Sequence, residues 1–316
     1  MIKKALVISI IFLFIFSSIR VNAFETSFLM DKELSSISQI NVTFESSNYT
    51  LYGEIYYPSN ESVMYPGIIF CEGFAGFVEA YSWLPKALAE EGYVVLIFDF
   101  PGQGKSEGFF SSHGIHLPFL NLYIRLGVKI ETPIQYLSGT WIKATSDALT
   151  YLIEESPVQH ITNSSCIGFI GHSLGAITVT KTATIDDRVD CIVIYTHTNP
   201  LILENINVPI QFQGGTSDIG FFSMPILSLG YLKANTPKES IMIKQGTHTG
   251  FTTSGGPFCR CPEWQKDICL HYTIGWLDYF LKNKPDAYDI ITTGVDNLSK
   301  VIKSKYNFGD GDHFLE

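Results

Sequence analysis

From residue 38 onward the chain alternates short apolar runs with longer amphipathic stretches. "INVTFE" and "YTLYGEIYYP" place apolar side chains at every second position, the period of a half-buried strand, and Ser46-Ser47-Asn48 between them reads as a turn. The runs that follow are different. "YPGIIFCEGF", "YVVLIFDF", "CIGFIG", "CIVIYTH", "VPIQFQGG" and "SIMIKQGTH" are nearly continuously apolar, as expected of strands covered on both faces. Helical spacing separates them: "YSWLPKALAEEGY" stops at Gly92, "TWIKATSDALTYLIEES" is amphipathic, and another helix opens near Ser173. The helix "EWQKDICLHYTIGWLDYFLKN" sets Trp264, Ile268, Tyr272, Trp276 and Phe280 four apart on one face, a stripe that packs a core. The tail after Lys284 reads as one more helix, "IITTGVDNLSKVIKSK", with an acidic end. Strands alternating with helices predict an α/β fold with a mostly parallel sheet and an antiparallel pair at its leading edge.

Three segments depart from that alternation. Residues 109–140 form a long insertion rich in Phe, Leu, Tyr and His, the length at which a connection becomes a lid or carries structure of its own. A shorter apolar stretch, "IGFFSMPILSLGYL", follows Asp218. At the N-terminus Lys3 and Lys4 precede an apolar run, Ala5 to Phe16, and Val21-Asn22-Ala23 offers small residues at a cleavage point. Residues 1–23 are therefore expected to be a signal peptide and the mature chain to be exported; the rival reading is an uncleaved N-terminal membrane anchor. Residues 24–284 then form the main domain, and 285–316 a C-terminal helix and tail.

Composition sharpens this. The chain of 316 residues is 46% hydrophobic and 16% charged, which suits a buried globular core. Without residues 1–23 it keeps eighteen basic and thirty-one acidic residues, net −13, which argues against nucleic acid or an anionic membrane as partner. Oligomeric state is open. In an oxidising compartment the six cysteines suggest disulfides, and Cys259 or Cys261 paired with Cys269 is the expected bridge. The same three could hold a metal, but no fourth ligand is evident, and no metal is expected. Asn41, Asn48, Asn60, Asn163 and Asn297 open Asn-x-Ser/Thr sequons, candidate glycan sites on exposed loops.

The chemistry centres on Gly171-His172-Ser173-Leu174-Gly175, where a strand turns into a helix. A GxSxG turn in that setting lifts the serine hydroxyl to the C-terminal edge of the sheet, near a helix N-terminus that favours developing negative charge. Serine needs a base and a carboxylate to orient that base, and both should follow later strands. After "VPIQFQGG" the carboxylate is Asp218. After "SIMIKQG" the histidine is His248; the later histidines, His271 and His313, lie in the last long helix and the tail. The oxyanion donors should be the amides of Leu174 and of Phe74, the latter preferred to Gly73. Asp99, ahead of a glycine-rich turn, is read as a cap for backbone amides, and His172 as a packing or hydrogen-bonding residue. Gly73, Phe109, Phe110 and Phe119, with Tyr123 and Tyr136, are candidates for a substrate pocket, although those aromatics could equally fill the insertion's own core.

Taken in order, "EGF", "DFPGQGKSEG", "GHSLG", "GGTSD" and "GTHTGF" resemble the α/β-hydrolase family over roughly residues 38–284, nearest to its dienelactone-hydrolase-like and small serine-esterase branch. The resemblance implies an eight-stranded, mostly parallel sheet, a Ser173–His248–Asp218 triad and no cofactor. Three departures stand out. Dienelactone hydrolases proper use a cysteine nucleophile. The usual His-Gly before the oxyanion donor is Glu72-Gly73 here, an extra carboxylate expected near the pocket entrance. The 109–140 insertion is also longer than in the simplest members. The function expected is an exported serine hydrolase acting on a small or polymeric carboxylic ester. A peptidase or acyltransferase could use the same triad, and a non-catalytic binding protein could use the same scaffold.

Overall fold

Alternation along the strands decides how the chain layers. In β4 (Val94–Phe98), Val94, Leu96 and Phe98 enter one apolar cluster while Val95 and Ile97 enter another. The sheet therefore buries both faces, as its continuously apolar strands require. The structure, a computed structural model, describes residues 36–74, 76–108, 131–218, 223–253, 262–293 and 301–314.

Among the described residues ten strands form one sheet in the order β1-β2-β4-β3-β5-β6-β7-β8-β9-β10. The centre is parallel: β4, β3 (Tyr65–Cys71), β5 (Thr162–His172), β6 (Cys191–Tyr195), β7 (Ile210–Gly215) and β8 (Lys238–Ile243). At the leading edge β1 (Ile37–Ser46) and β2 (Tyr49–Pro58) form an antiparallel hairpin. Its two-residue turn has φ 50° at Ser47 and 66° at Asn48, the left-handed pair whose twist matches the flanking strands.

One face of the sheet is covered by α1 (Trp83–Glu90) and by α5 (Glu263–Leu281), which bring Leu84, Leu88, Ile268, Tyr272 and Trp276 onto Ile68, Phe70 and Ile170. The other face is covered by α2 (Glu131–Thr150), α3 (Leu174–Thr182) and α4 (Ser223–Lys233), through Trp141, Leu149, Val179, Leu227 and Tyr231. The stripe read on α5 is buried at Ile268, Tyr272 and Trp276 and half-buried at Trp264 and Phe280. A last short helix, α6 (Ala287–Thr293), packs Ile291 on the α5 side. Among the described residues no helix is long and apolar enough to cross a membrane.

Several expectations need correction. Among the described residues the sheet has ten strands rather than eight. The tail, again among the described residues, is helical over α6 and returns as β9 (Val301–Asn307) and β10 (His313–Phe314). β9 runs antiparallel to β8, from Lys238 opposite Asn307 to Ile243 opposite Val301. The otherwise open edge of β8 and the β-branched Val301-Ile302 outweigh the helical spacing of this segment. α2 begins at Glu131, with Pro133 in its first turn where proline is tolerated, so residues 131–140 belong to the helix and not to the insertion. The rest of the insertion, 109–130, lies outside the described residues. Asn41 and Asn163 sit on strands rather than loops, and Asn163 is half-buried. Cys269 is a free, buried thiol, so the expected bridge to Cys259 or Cys261 is not formed at its end; α5 turns it inward, and those two partners lie outside the described residues.

Trp276 is fully buried under the sheet and tilts against Phe280 at 4.5 Å between ring centroids. Replacing it with Ala should cost about 3–5 kcal/mol of unfolding free energy. Chemical denaturation will check this, and a loss below about 1 kcal/mol would contradict its place in the core.

Candidate active site

Ser173 sits at the end of β5 with φ 55° and ψ −116°, outside the regions an L-residue adopts freely. Its own amide donates to the Tyr195 carbonyl at 3.0 Å, and α3 starts with the next residue. The turn is tight enough to need its glycines. A Cβ at Gly171 would lie 2.6 Å from the Gly175 carbonyl oxygen, and one at Gly175 would collide with the carbonyls of Cys71 and Glu72. Serine flanked by glycines in the sequence is thus a backbone requirement: the elbow is pressed against the end of β3.

Two later loops bring the partners. The Nδ1 of His248 lies 2.7 Å from Asp218 Oδ2, and its Nε2 lies 3.0 Å from Ser173 Oγ. A carboxylate can only accept, so Nδ1 carries the proton and Nε2 is left to accept from the serine hydroxyl. The Asp218 side chain is nearly inaccessible, at 1% exposure against 15% for His248, which gives the charge a shielded position behind the ring. Asp218 Oδ2 also accepts the Ser223 hydroxyl from the start of α4. Gln265, fully buried on α5, grips the residue before His248 twice: its Oε1 accepts the Thr247 amide at 3.0 Å and its Nε2 donates to the Thr247 carbonyl at 3.0 Å.

The loop after β3 brings Phe74 to the same edge. The Gly73 amide is engaged, donating to Tyr81 Oη at 3.2 Å, so among the described residues Phe74 N–H, with Leu174 N–H at the head of α3, remains the candidate pair of oxyanion donors. The preference for Phe74 over Gly73 thereby gains a physical reason. His172 faces away from Ser173, with Nδ1 2.8 Å from Tyr81 Oη and Nε2 2.9 Å from the His248 carbonyl. Burial, with His248 alongside, holds the His172 pKa well below the usual imidazole value, so the ring is neutral.

Glu72 is a correction. It is not at a pocket entrance but fully buried beneath the loop. Its Oε1 accepts the Phe100 amide at 3.2 Å and Gln103 Nε2 at 2.6 Å, while Oε2 has no partner among the described residues. Burial, and then the carboxylate of Asp99, hold Glu72 well above the usual carboxyl range and favour its neutral acid. Asp99 caps amides as read: Oδ1 accepts from Val78 and Oδ2 from Lys105, each at 2.7 Å. Burial pushes its pKa up to about 6.

The structure thus brings Ser173, Asp218, His248, Leu174, Phe74 and Gly73 to one edge of the sheet. Phe109, Phe110, Phe119 and Tyr123 lie outside the described residues, as does the side chain of Tyr136. Tyr81, Gln103, Ser223 and Gln265 are not legible as site residues in the sequence. Their roles depend on contacts across the fold, and a lone Tyr or Gln carries no local signal of such a contact. Residues 66–214 match the sequence profile of a family described as alpha/beta hydrolase fold. No curated protein matches the chain. Over those residues the chain is similar to that family, and the sheet described above has the α/β-hydrolase fold. The match covers Phe74, Ser173 and Leu174 and stops before Asp218 and His248, whose positions rest on geometry.

An acid whose folded pKa is raised lends stability below its unfolded value and loses it as pH rises through the folded one. Glu72→Gln keeps the Oε1 acceptor and removes the ionisation. The variant should therefore gain melting temperature relative to the parent as pH is raised from about 5 to about 8. Calorimetry at both ends decides the matter; parallel curves would mean Glu72 is not held as the neutral acid.

Proposed function

We propose that this α/β hydrolase is a serine hydrolase cleaving carboxylic esters through an acyl-enzyme intermediate. One observation carries the reading: a single line of hydrogen bonds runs from Asp218 through His248 to the hydroxyl of a serine held on a strained turn. Ser173 Oγ attacks the ester carbonyl carbon as His248 Nε2 takes its proton, and Asp218 fixes the tautomer and stabilises the imidazolium. Leu174 and Phe74 N–H groups hold the tetrahedral oxyanion, each such donor being worth about 3 kcal/mol of barrier. The imidazolium returns the proton to the departing alkoxide. Water, deprotonated by the same base, then releases the acid and restores Ser173. No step asks for a group beyond these side chains and amides.

Substrate preference is supported more loosely. Phe74 and Phe77 are 37% and 38% exposed, unusual for phenylalanine, and give the edge beside the oxyanion amides an apolar rim. That rim suits an apolar or aromatic acyl or alcohol group, in keeping with the small serine-esterase and dienelactone-hydrolase-like branch. A serine in place of that branch's cysteine favours ordinary esters over dienelactones. The N-terminal pattern supports export with residues 1–23 removed, so the substrate is met outside the cytosol.

The purified protein should hydrolyse short-chain p-nitrophenyl esters and take one fluorophosphonate on Ser173, read by intact mass and peptide mapping. Ser173→Ala should lose both, with kcat lower by roughly a million-fold. Ester turnover surviving in that variant would sink the assignment. Absence of an adduct on folded parent protein would point instead to a binding module on a hydrolase scaffold.

A further inference from the structure

A second line of hydrogen bonds runs beneath the first. Gly73 N–H meets Tyr81 Oη at 3.2 Å, Tyr81 Oη meets His172 Nδ1 at 2.8 Å, and His172 Nε2 meets the His248 carbonyl at 2.9 Å. Its ends fix its direction. An amide can only donate and a carbonyl can only accept, so His172 carries its proton on Nε2, and Tyr81 donates to Nδ1 while accepting from Gly73. That assignment satisfies all three contacts with a neutral ring.

The line is buried and enclosed by aromatic rings. Tyr81 and His172 are each 3% exposed. Their rings stand 5.6 Å apart, Phe70 closes on Tyr81 at 5.3 Å, and Phe251 closes on His172 at 5.8 Å. Gly73 leaves room for them, since a Cβ there would lie 2.9 Å from His172 Nδ1 and 3.2 Å from Tyr81 Oη. The two ends belong to different loops, one presenting the Phe74 amide and the other the His248 ring. Farther along, the same loops are pinned by Thr253 N–H donating to the Ala80 carbonyl at 2.7 Å. The relay ties them at the end that faces Ser173.

We propose that Tyr81 and His172 form a positioning relay that holds the oxyanion loop and the base loop in mutual register. By consuming the Gly73 amide, the relay selects Phe74 N–H as the oxyanion donor; by holding the His248 carbonyl, it sets the distance from the base to Ser173. Neither side chain touches the substrate, so both are positioning residues. The inference rests on the serine-hydrolase reading above.

The test uses the full-length protein with Tyr81→Phe and His172→Gln; the glutamine amide can still reach the His248 carbonyl but offers Tyr81 no ring nitrogen. In the parent at neutral pH, ¹⁵N NMR should show His172 as the Nε2–H tautomer. In Tyr81→Phe the Gly73 amide should lose hydrogen-exchange protection. The kcat on a p-nitrophenyl ester should fall roughly tenfold at nearly constant KM, because the hydrogen bond removed steadies the oxyanion loop in the transition state. Affinity for a boronic acid, whose adduct on serine is a tetrahedral anion, should fall by the same factor. His172→Gln should behave likewise, and the double variant should be no worse than the poorer single, as for two members of one line. A labelled, active parent with an Nδ1–H tautomer or imidazolium at His172 would overturn the relay. So would variants that lose only melting temperature while kcat and boronate affinity hold. A parent that takes no fluorophosphonate at Ser173 fails differently, overturning the hydrolase reading and with it the purpose of the relay.

Discussion

Ser173 is held at φ 55° and ψ −116°, a conformation that costs a non-glycine residue about 1–3 kcal/mol. The turn is sustained by what surrounds it. β5 is fixed on both sides by parallel partners, β3 and β6, and the serine amide continues that pairing onto Tyr195. α3 must leave at once, and the missing side chains at Gly171 and Gly175 let it pass against the end of β3. Every other part of the site is placed relative to this turn. The loop after β3 lies on it, and the loops after β7 and β8 reach it because parallel strands end along one edge.

Past the strand ends the sheet ladder no longer holds those loops, and buried, uncharged hydrogen bonds take over. Gln265 takes both the amide and the carbonyl of Thr247, Gln103 ties Glu72 Oε1 to the Gly73 carbonyl, and Trp83 Nε1 donates to the Phe251 carbonyl at 3.1 Å. Glutamine, tryptophan, neutral histidine and neutral acid share one property: they can be buried without the desolvation cost of a charge, provided their partners are met. Asp218 is the exception, a buried carboxyl group whose Oδ2 is met by both His248 and Ser223.

How much of this is legible in the sequence follows from the range of the interactions. The six central strands announce themselves because both their faces are buried, so their residues are apolar regardless of partner. Ser173 is legible from its GxSxG turn, and Asp218 and His248 from the order of the later strands, since each stands after a parallel strand ends. The helical spacing of β9 misleads because its strand state comes from the open edge of β8, roughly sixty residues away in sequence. Glu72 misleads for a similar reason: a glutamate between an apolar strand and a glycine reads as exposed until Phe100 N–H and Gln103 come to cover it. Tyr81 and Gln265 give no signal, because their roles exist only where two distant loops meet.

The strain at Ser173 also bears on what the protein does. At this φ a glycine would sit without penalty, and the elbow would then need less of the packing that sustains it. A scaffold used only for binding gains little in stability from the serine side chain, whose hydroxyl meets a half-buried histidine. Nor does such a scaffold need a carboxylate at 1% exposure behind that histidine, since an ionised group so placed costs stability unless its partners are met. Strain at the turn and a buried carboxylate are each unfavourable in the resting fold. They meet at one place, around the position a tetrahedral oxyanion would occupy, where the imidazolium formed in the transition state would face the Asp218 carboxylate. That coincidence is what makes hydrolysis a better account of the site than recognition alone.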